Sequence, residues 1–208
     1  DIDPENIAIT RSDTGSLAIS VADGSSWSYR WYENLLARAS DLEKQGWSVE
    51  QGRRDWNNGA LHFDAVDTNK YDLCMAESVD AGKGAIALDL ALQPGGKGNP
   101  KSRKAGLVFG YEDEQNFGFF GLYGDKSAWV LGVCEDGSMK TKEMRGANLD
   151  RGEWYRLELD FQDGGDRIFA SVNGRMVMEL KGDGLSKNGG VGLFCIKKDA
   201  SFRNFLLE

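Results

Sequence analysis

Histidine and proline are both scarce in this chain, with 1 and 3 among 208 residues. A single histidine, His62, leaves a Ser-His-Asp or Cys-His arrangement one residue to draw on. It lies in GALHFD between Leu61 and Phe63, where a strand histidine reads as a surface or hydrogen-bonded side chain. Cysteine is also sparse. Cys74, Cys134 and Cys195 each sit inside an apparent strand, and with one histidine they offer no zinc-site spacing. They read as small buried hydrophobes, with a disulfide plus one free thiol as the alternative. No run approaches the ~18 apolar residues that span a bilayer, so membrane insertion is not expected. The net charge is −8 and the one basic run, KGNPKSRK, is short, which argues against nucleic acid as a partner. AGKGA and GGKGN lack the upstream glycine and the following Ser or Thr of a phosphate loop. No cofactor and no metal are expected.

What the chain has is glycine, 27 residues, with 40% hydrophobic and 11% aromatic residues. That composition supports a packed core built from short strands and tight turns. Period-2 alternation recurs along the chain. Ile86, Leu88, Leu90 and Leu92 oppose Ala85, Ala87, Asp89 and Ala91, while Tyr155, Leu157, Leu159 and Phe161 oppose Trp154, Arg156, Glu158 and Asp160. The expected fold is all-β, a two-sheet antiparallel sandwich with at most one short helix, at ENLLARASDLEKQ. Residues 1–34 read as a strand-rich N-terminal extension (IAIT, SLAISVA, WSYRWYE) and residues 35–208 as the sandwich.

AGLVFGYEDEQNFGFFGLYGDKSAWVLGVCEDG reads as a three-strand meander with turns at EDEQ and GDKS. Its expected heavy face carries Leu107, Phe109, Tyr111, Phe117, Phe119, Tyr123, Trp129, Leu131 and Val133. The thin face carries Gly106, Gly110, Gly118, Ala128 and Gly132. Glycines admit a backbone or a ligand close to a sheet, so a sugar site, if the chain has one, is expected over that thin face.

QGWSVEQGRRDWNNGALHF resembles the opening of concanavalin A-like (laminin-G-like) jelly-roll domains. AGLVFGYEDEQNFGFFGLYG resembles their central meander, and EWYRLELDF, VNGRMV, GLSKNGGVGLF and ASFRNFLL resemble their closing strands. The resemblance covers about residues 41–208 and is nearest to the 3-keto-disaccharide hydrolase domains and the secreted sugar-binding laminin-G-like modules. It implies a jelly roll and a carbohydrate partner, but the fold hosts lectins, hydrolases, lyases and adhesion modules alike. The ExDxxE strand of the family 16 glycoside hydrolases has no match here. At the two calcium-site positions of calcium-binding relatives stand Asp41 and Arg203, and an arginine is no calcium ligand. The FRNF ending is closer to that of the keto-disaccharide hydrolases.

The expected function is non-catalytic carbohydrate binding by a secreted, periplasmic or cell-surface protein. The chain's start at Asp1 rather than Met is compatible with processing. Trp154, Arg156, Glu158 and Asp89 are the expected sugar-binding residues, an indole for stacking and polar groups for hydroxyls. A glycoside hydrolase acting through two carboxylates is the alternative. A structural subunit that meets a protein partner through residues 1–34 is the third reading.

Overall fold

The computed structural model describes residues 7–11, 16–21, 26–30, 33–34, 47–49, 53–57, 59–64, 71–76, 84–92, 104–124, 126–150, 152–181, 189–196 and 200–207. Regular structure among them is almost entirely β. The strands are β1 (Ile7–Arg11), β2 (Ser16–Val21), β3 (Ser26–Arg30), β4 (Glu33–Asn34), β5 (Trp47–Val49), β6 (Arg53–Asn57), β7 (Ala60–Asp64), β8 (Asp72–Ala76) and β9 (Gly84–Leu92). They continue with β10 (Lys104–Asp113), β11 (Asn116–Tyr123), β12 (Ala128–Glu135), β13 (Ser138–Gly146), β14 (Tyr155–Gln162), β15 (Arg167–Val172), β16 (Arg175–Lys181), β17 (Gly190–Ile196) and β18 (Ala200–Leu207). The single helical turn among the described residues, Asp163–Gly165, is 3-10. Of the stretch expected to hold a short helix, Glu33 and Asn34 form β4 and the rest lies outside the described residues. No helix of the described residues is long and apolar enough to cross a membrane.

Two antiparallel sheets make the sandwich. One runs β13-β12-β11-β10-β17-β8-β5, and the other runs β16-β15-β14-β9-β18-β7-β6, with β4 paired to the far end of β18. The core lies between them. Ile86, Leu88 and Leu90 of β9 and Leu157 and Leu159 of β14 meet Leu107, Phe109, Phe120, Leu131 and Leu193 of the facing sheet, all fully buried. The alternation expected for β14 is observed, buried and half-buried in turn as far as Phe161, while in β9 the small alanines between the core residues are buried as well. Each such large apolar side chain contributes about 1.5–3 kcal/mol on burial. Two-residue turns close two of the hairpins: Asp136 and Gly137 have φ of 52° and 73°, Asn173 and Gly174 of 50° and 74°. Both dipeptides suit a type I′ turn, whose twist matches the flanking strands. The three cysteines are buried and unpaired with one another.

The meander differs from its expected heavy and thin faces. Val108 pairs with Phe119 and Phe119 with Gly132, while Leu107 pairs with Phe120 and Phe120 with Leu131. Phe120 and Leu122 therefore join the core, and Phe117, Phe119 and Tyr123 stand on the outer face in a second buried cluster with Val108, Val130 and Phe194. Both alternating sets of NFGFFGLY are bulky, so periodicity alone could not choose between them. Tyr111 also leaves the core face, because the strand shifts register at Gly110, whose φ is 55°. The glycines make no sugar cradle. A Cβ on Gly118 would lie 2.3 Å from Cε2 of Phe109, and one on Gly132 would lie 2.6 Å from Cζ of Phe119. Neighbouring rings fill the space, and the outer face is closed: Phe119, Val108, Val130 and Phe194 are 0% exposed.

β1, β2 and β3 form a separate three-stranded sheet. Its register sets Ile7 against Val21, Ile9 against Ile19, Leu17 against Tyr29 and Ile19 against Trp27.

Candidate functional site

The outer face of the β16-to-β6 sheet is where polar side chains gather, and Asp89 is at its centre. β9 presents Ala85, Ala87, Asp89 and Ala91 to this side, because its leucines and isoleucine are drawn into the core. Register then supplies the neighbours: Asp89 stands directly opposite Arg156 on β14 and Arg203 on β18. Three adjacent strands carry an Arg-Asp-Arg row. Nη1 of Arg156 donates to Oδ1 of Asp89 at 3.2 Å, and Nε of Arg203 donates to Oδ2 at 3.3 Å. Nδ2 of Asn204 donates to the same Oδ2 at 2.8 Å. The Asp89 side chain keeps only 14% of its surface, against 29% for Arg156 and 41% for Arg203. A nearly buried carboxylate with a cation on each side is a satisfied anion, and its partners are held in defined positions.

Asn204 reaches this row through a break in β18. The strand shifts register between Arg203 and Leu206, and Asn204 has a φ of 50°. The extra residue reverses the side-chain alternation, so Phe202 and Phe205, three positions apart, both enter the core. Asn tolerates the left-handed conformation better than most residues, and its amide bonds Asp89 from there.

Of the four expected site residues, the structure brings three together. Asp89 and Arg156 are ion-paired, and Trp154, half-buried just before β14, lies beneath the guanidinium of Arg203 at 4.1 Å from its ring centroid. One face of the indole is therefore covered by protein. Glu158 stands one pair further along, opposite Ala87 and Ser171, and Asp160 stands opposite Ala85 and Phe169. The expectation missed Arg203 and Asn204. The signal was present in FRNF, where two phenylalanines three apart bracket two polar residues and so break strict alternation. Arg203, an expected mismatch to a calcium site, holds Asp89 here.

Around the row, Ser201 of β18 is fully buried and its Oγ lies 2.6 Å from Nδ1 of His62 on β7. His62 is thus a hydrogen-bonded strand histidine. The other flank is held by Asn173, whose Oδ1 accepts from the Arg156 backbone N–H at 2.8 Å. Further out, Arg167 donates to Oε1 of Glu179 at 2.8 Å and lies over the ring of Phe169. No group of three or more His, Cys, Asp or Glu among the described residues is arranged to hold a metal. Asp41 lies outside them.

The arrangement offers donors in excess. Nη2 of Arg156 and the terminal nitrogens of Arg203 make no bond to Asp89, so each can donate to a ligand oxygen. Paired N–H groups beside a half-exposed indole suit a molecule with vicinal hydroxyls and one apolar face. General-base chemistry is poorly served, since three donors already occupy the Asp89 oxygens.

No family model matches the chain, and no curated protein does. Solved structures do match. The carbohydrate-binding module CBM66 from Bacillus subtilis superposes with a TM-score of 0.66 at 17% identity, covering 77% of this chain and 93% of its own. A Bacillus subtilis protein of unknown function with a galectin-like fold gives 0.62 at 15% identity, covering 85% and 97%. Bacillus licheniformis beta-glucanase gives 0.57 at 9% identity, covering 84% and 96%. At such identities the likeness speaks to the fold alone, and that fold is the two-sheet jelly roll seen in concanavalin A-like lectins and glucanases.

Proposed function

We propose that this protein binds carbohydrate without cleaving it, on the outer sheet face organised by Asp89. The observation that carries the reading is the Arg156–Asp89–Arg203 row with Asn204 and Trp154 attached. A carboxylate fixes two guanidinium groups side by side, and their remaining N–H groups face outward as donors for sugar hydroxyls. Trp154 borders the row and gives a pyranose an apolar edge to lie against. Carbohydrate-binding and glucan-cleaving proteins among the fold relatives support a sugar as the ligand class. Binding is favoured over cleavage because hydrolysis needs two carboxylates with free lone pairs, roughly 5–9.5 Å apart. Asp89 is fully engaged, which leaves Glu158 and Asp160 without it as a partner.

A glycan-array screen of the full chain tests this, with Trp154→Ala and Arg203→Ala variants alongside. Binding to a defined glycan class that both variants weaken is the expected result. Binding indifferent to both substitutions, or release of reducing sugar by the intact protein, would sink the reading.

The three-stranded sheet favours a second role for residues 1–34, as the surface that meets a protein partner. Its strands, IAITR, SLAISV and SWSYR, are rich in apolar and aromatic residues, and a small sheet of this kind gains stability by packing against a second surface. Light scattering on the full chain checks it: an assembly that falls apart when Ile9 and Ile19 become serine supports the role, and a monomer contradicts it.

A further inference from the structure

The sandwich has an open edge where β13 and β16, the terminal strands of the two sheets, approach each other. Nε of Arg145 on β13 donates across the gap to the carbonyl of Val177 on β16 at 3.4 Å. Beside this bridge lies a cavity of about 550 Å³ lined by Trp129, Arg145, Val172, Arg175, Met176 and Val177. Its floor is rigid. Trp129 is 5% exposed and its indole packs edge-on to Tyr155 at 5.2 Å, while the Tyr155 hydroxyl accepts from the Asp150 N–H at 2.7 Å. Its rim is soft and apolar, with Met176 59% exposed. Its charge is of one sign. Among the described residues no carboxylate lies within ion-pair distance of Arg145 or Arg175, although the chain carries a net charge of −8.

We infer that this edge cavity is a second binding site, which takes a small organic carboxylate bearing a flat apolar ring. The Arg145 bond to Val177 uses Nε, so its two terminal nitrogens are available to a carboxylate, and Arg175 supplies a second cation. Trp129 and Val172 form an apolar floor for the ring, and Met176 adapts its thioether over it. Arg145 ties the two sheets through Nε alone, so its terminal nitrogens and the Arg175 guanidinium are left at the cavity for a ligand anion to satisfy. The site is separate from the Asp89 row, which faces outward from one sheet rather than opening between two. It stands whether or not that row binds sugar.

Titration of the full chain with sodium benzoate, followed by amide chemical shifts, tests the inference, with benzamide as the neutral isostere. Benzoate is expected to bind at least about tenfold tighter than benzamide, as charge-assisted bonds from two arginines imply, with shifts centred on Gly146, Val172 and Val177. Arg145→Gln with Arg175→Gln should erase that preference. Arg175→Gln alone, which breaks no side-chain bond among the described residues, should reduce it severalfold. The inference is overturned by benzamide binding as well as benzoate, by a preference that survives the double substitution, or by inorganic phosphate binding as tightly as benzoate, which would mean a bare anion site.

Discussion

Arg203 is held from two sides at once: its Nε bonds Asp89 at 3.3 Å and its guanidinium plane covers the indole of Trp154 at 4.1 Å. The ion pair and the ring contact fix the same group, so Trp154 positions a donor as well as offering a surface. Trp154→Ala should release Arg203 and weaken glycan binding about tenfold or more, while costing only about 0.5–1 kcal/mol of stability. Arg203→Lys tests the geometry separately, since lysine keeps the charge but lacks the planar fork. Calorimetric titration with the best array ligand, beside thermal melts, reads both effects. Equal affinity in all three proteins would remove Arg203 from the site.

Asp89→Ala leaves Arg156 and Arg203 side by side with no anion between them. The expected loss is about 1–3 kcal/mol in urea unfolding. Part of that loss is repulsion between cations, so the deficit should shrink in ~1 M salt, where the screening length is about 3 Å. A deficit unchanged by salt would point to packing as its cause instead.

Asn204 separates backbone from side chain. Asn204→Gly keeps the φ of 50° accessible and loses the bond to Asp89, at a cost of about 1 kcal/mol. Asn204→Val adds backbone strain and should cost about 1–2 kcal/mol more. Denaturation midpoints that rank valine above glycine would mean that β18 has no irregularity at this residue.

Gly118→Ala forces a methyl against the Phe109 ring, which itself packs edge-on to Phe161 at 5.5 Å. The expected loss is about 1–3 kcal/mol from overpacking. Gly146→Ala, where a Cβ meets nothing within 4 Å, is the control and should stay within about 0.5 kcal/mol of the parent.

The Cys134 thiol donates to the Tyr71 hydroxyl at 3.5 Å, and that hydroxyl donates to the Glu114 carbonyl at 2.5 Å. Burial pushes both groups above their ordinary values, and the bond to Cys134 raises Tyr71 further. A folded-state pKa above the unfolded one means stability that is complete below about pH 8.5, the free thiol's value, and is lost as pH rises through the folded value. Urea midpoints should therefore fall between pH 8.5 and 10.5, and Cys134→Ser should flatten part of the fall. The native protein at pH 8 should resist a thiol reagent at Cys134 until denatured.

The two-layer fold was legible because alternation in β9 and β14 is clean, with one parity apolar and the other polar or small. Asp89, Arg156 and Trp154 were legible for the same reason, since strands that hide their leucines must display what lies between. The meander was less so. NFGFFGLY is bulky on both parities, and only pairing with β10 and β12 assigned Phe120 inward and Phe119 outward.

From the sequence alone came the class of fold and the polar face of each strand, because both depend on a period of two along a single strand. Tertiary structure decided which residues meet on that face. Asp89 and Arg203 are 114 positions apart, and their contact depends on the β9–β18 register and on a bulge that no local periodicity specifies. The edge cavity was equally invisible, because it exists only where the last strand of one sheet comes to lie beside the last strand of the other.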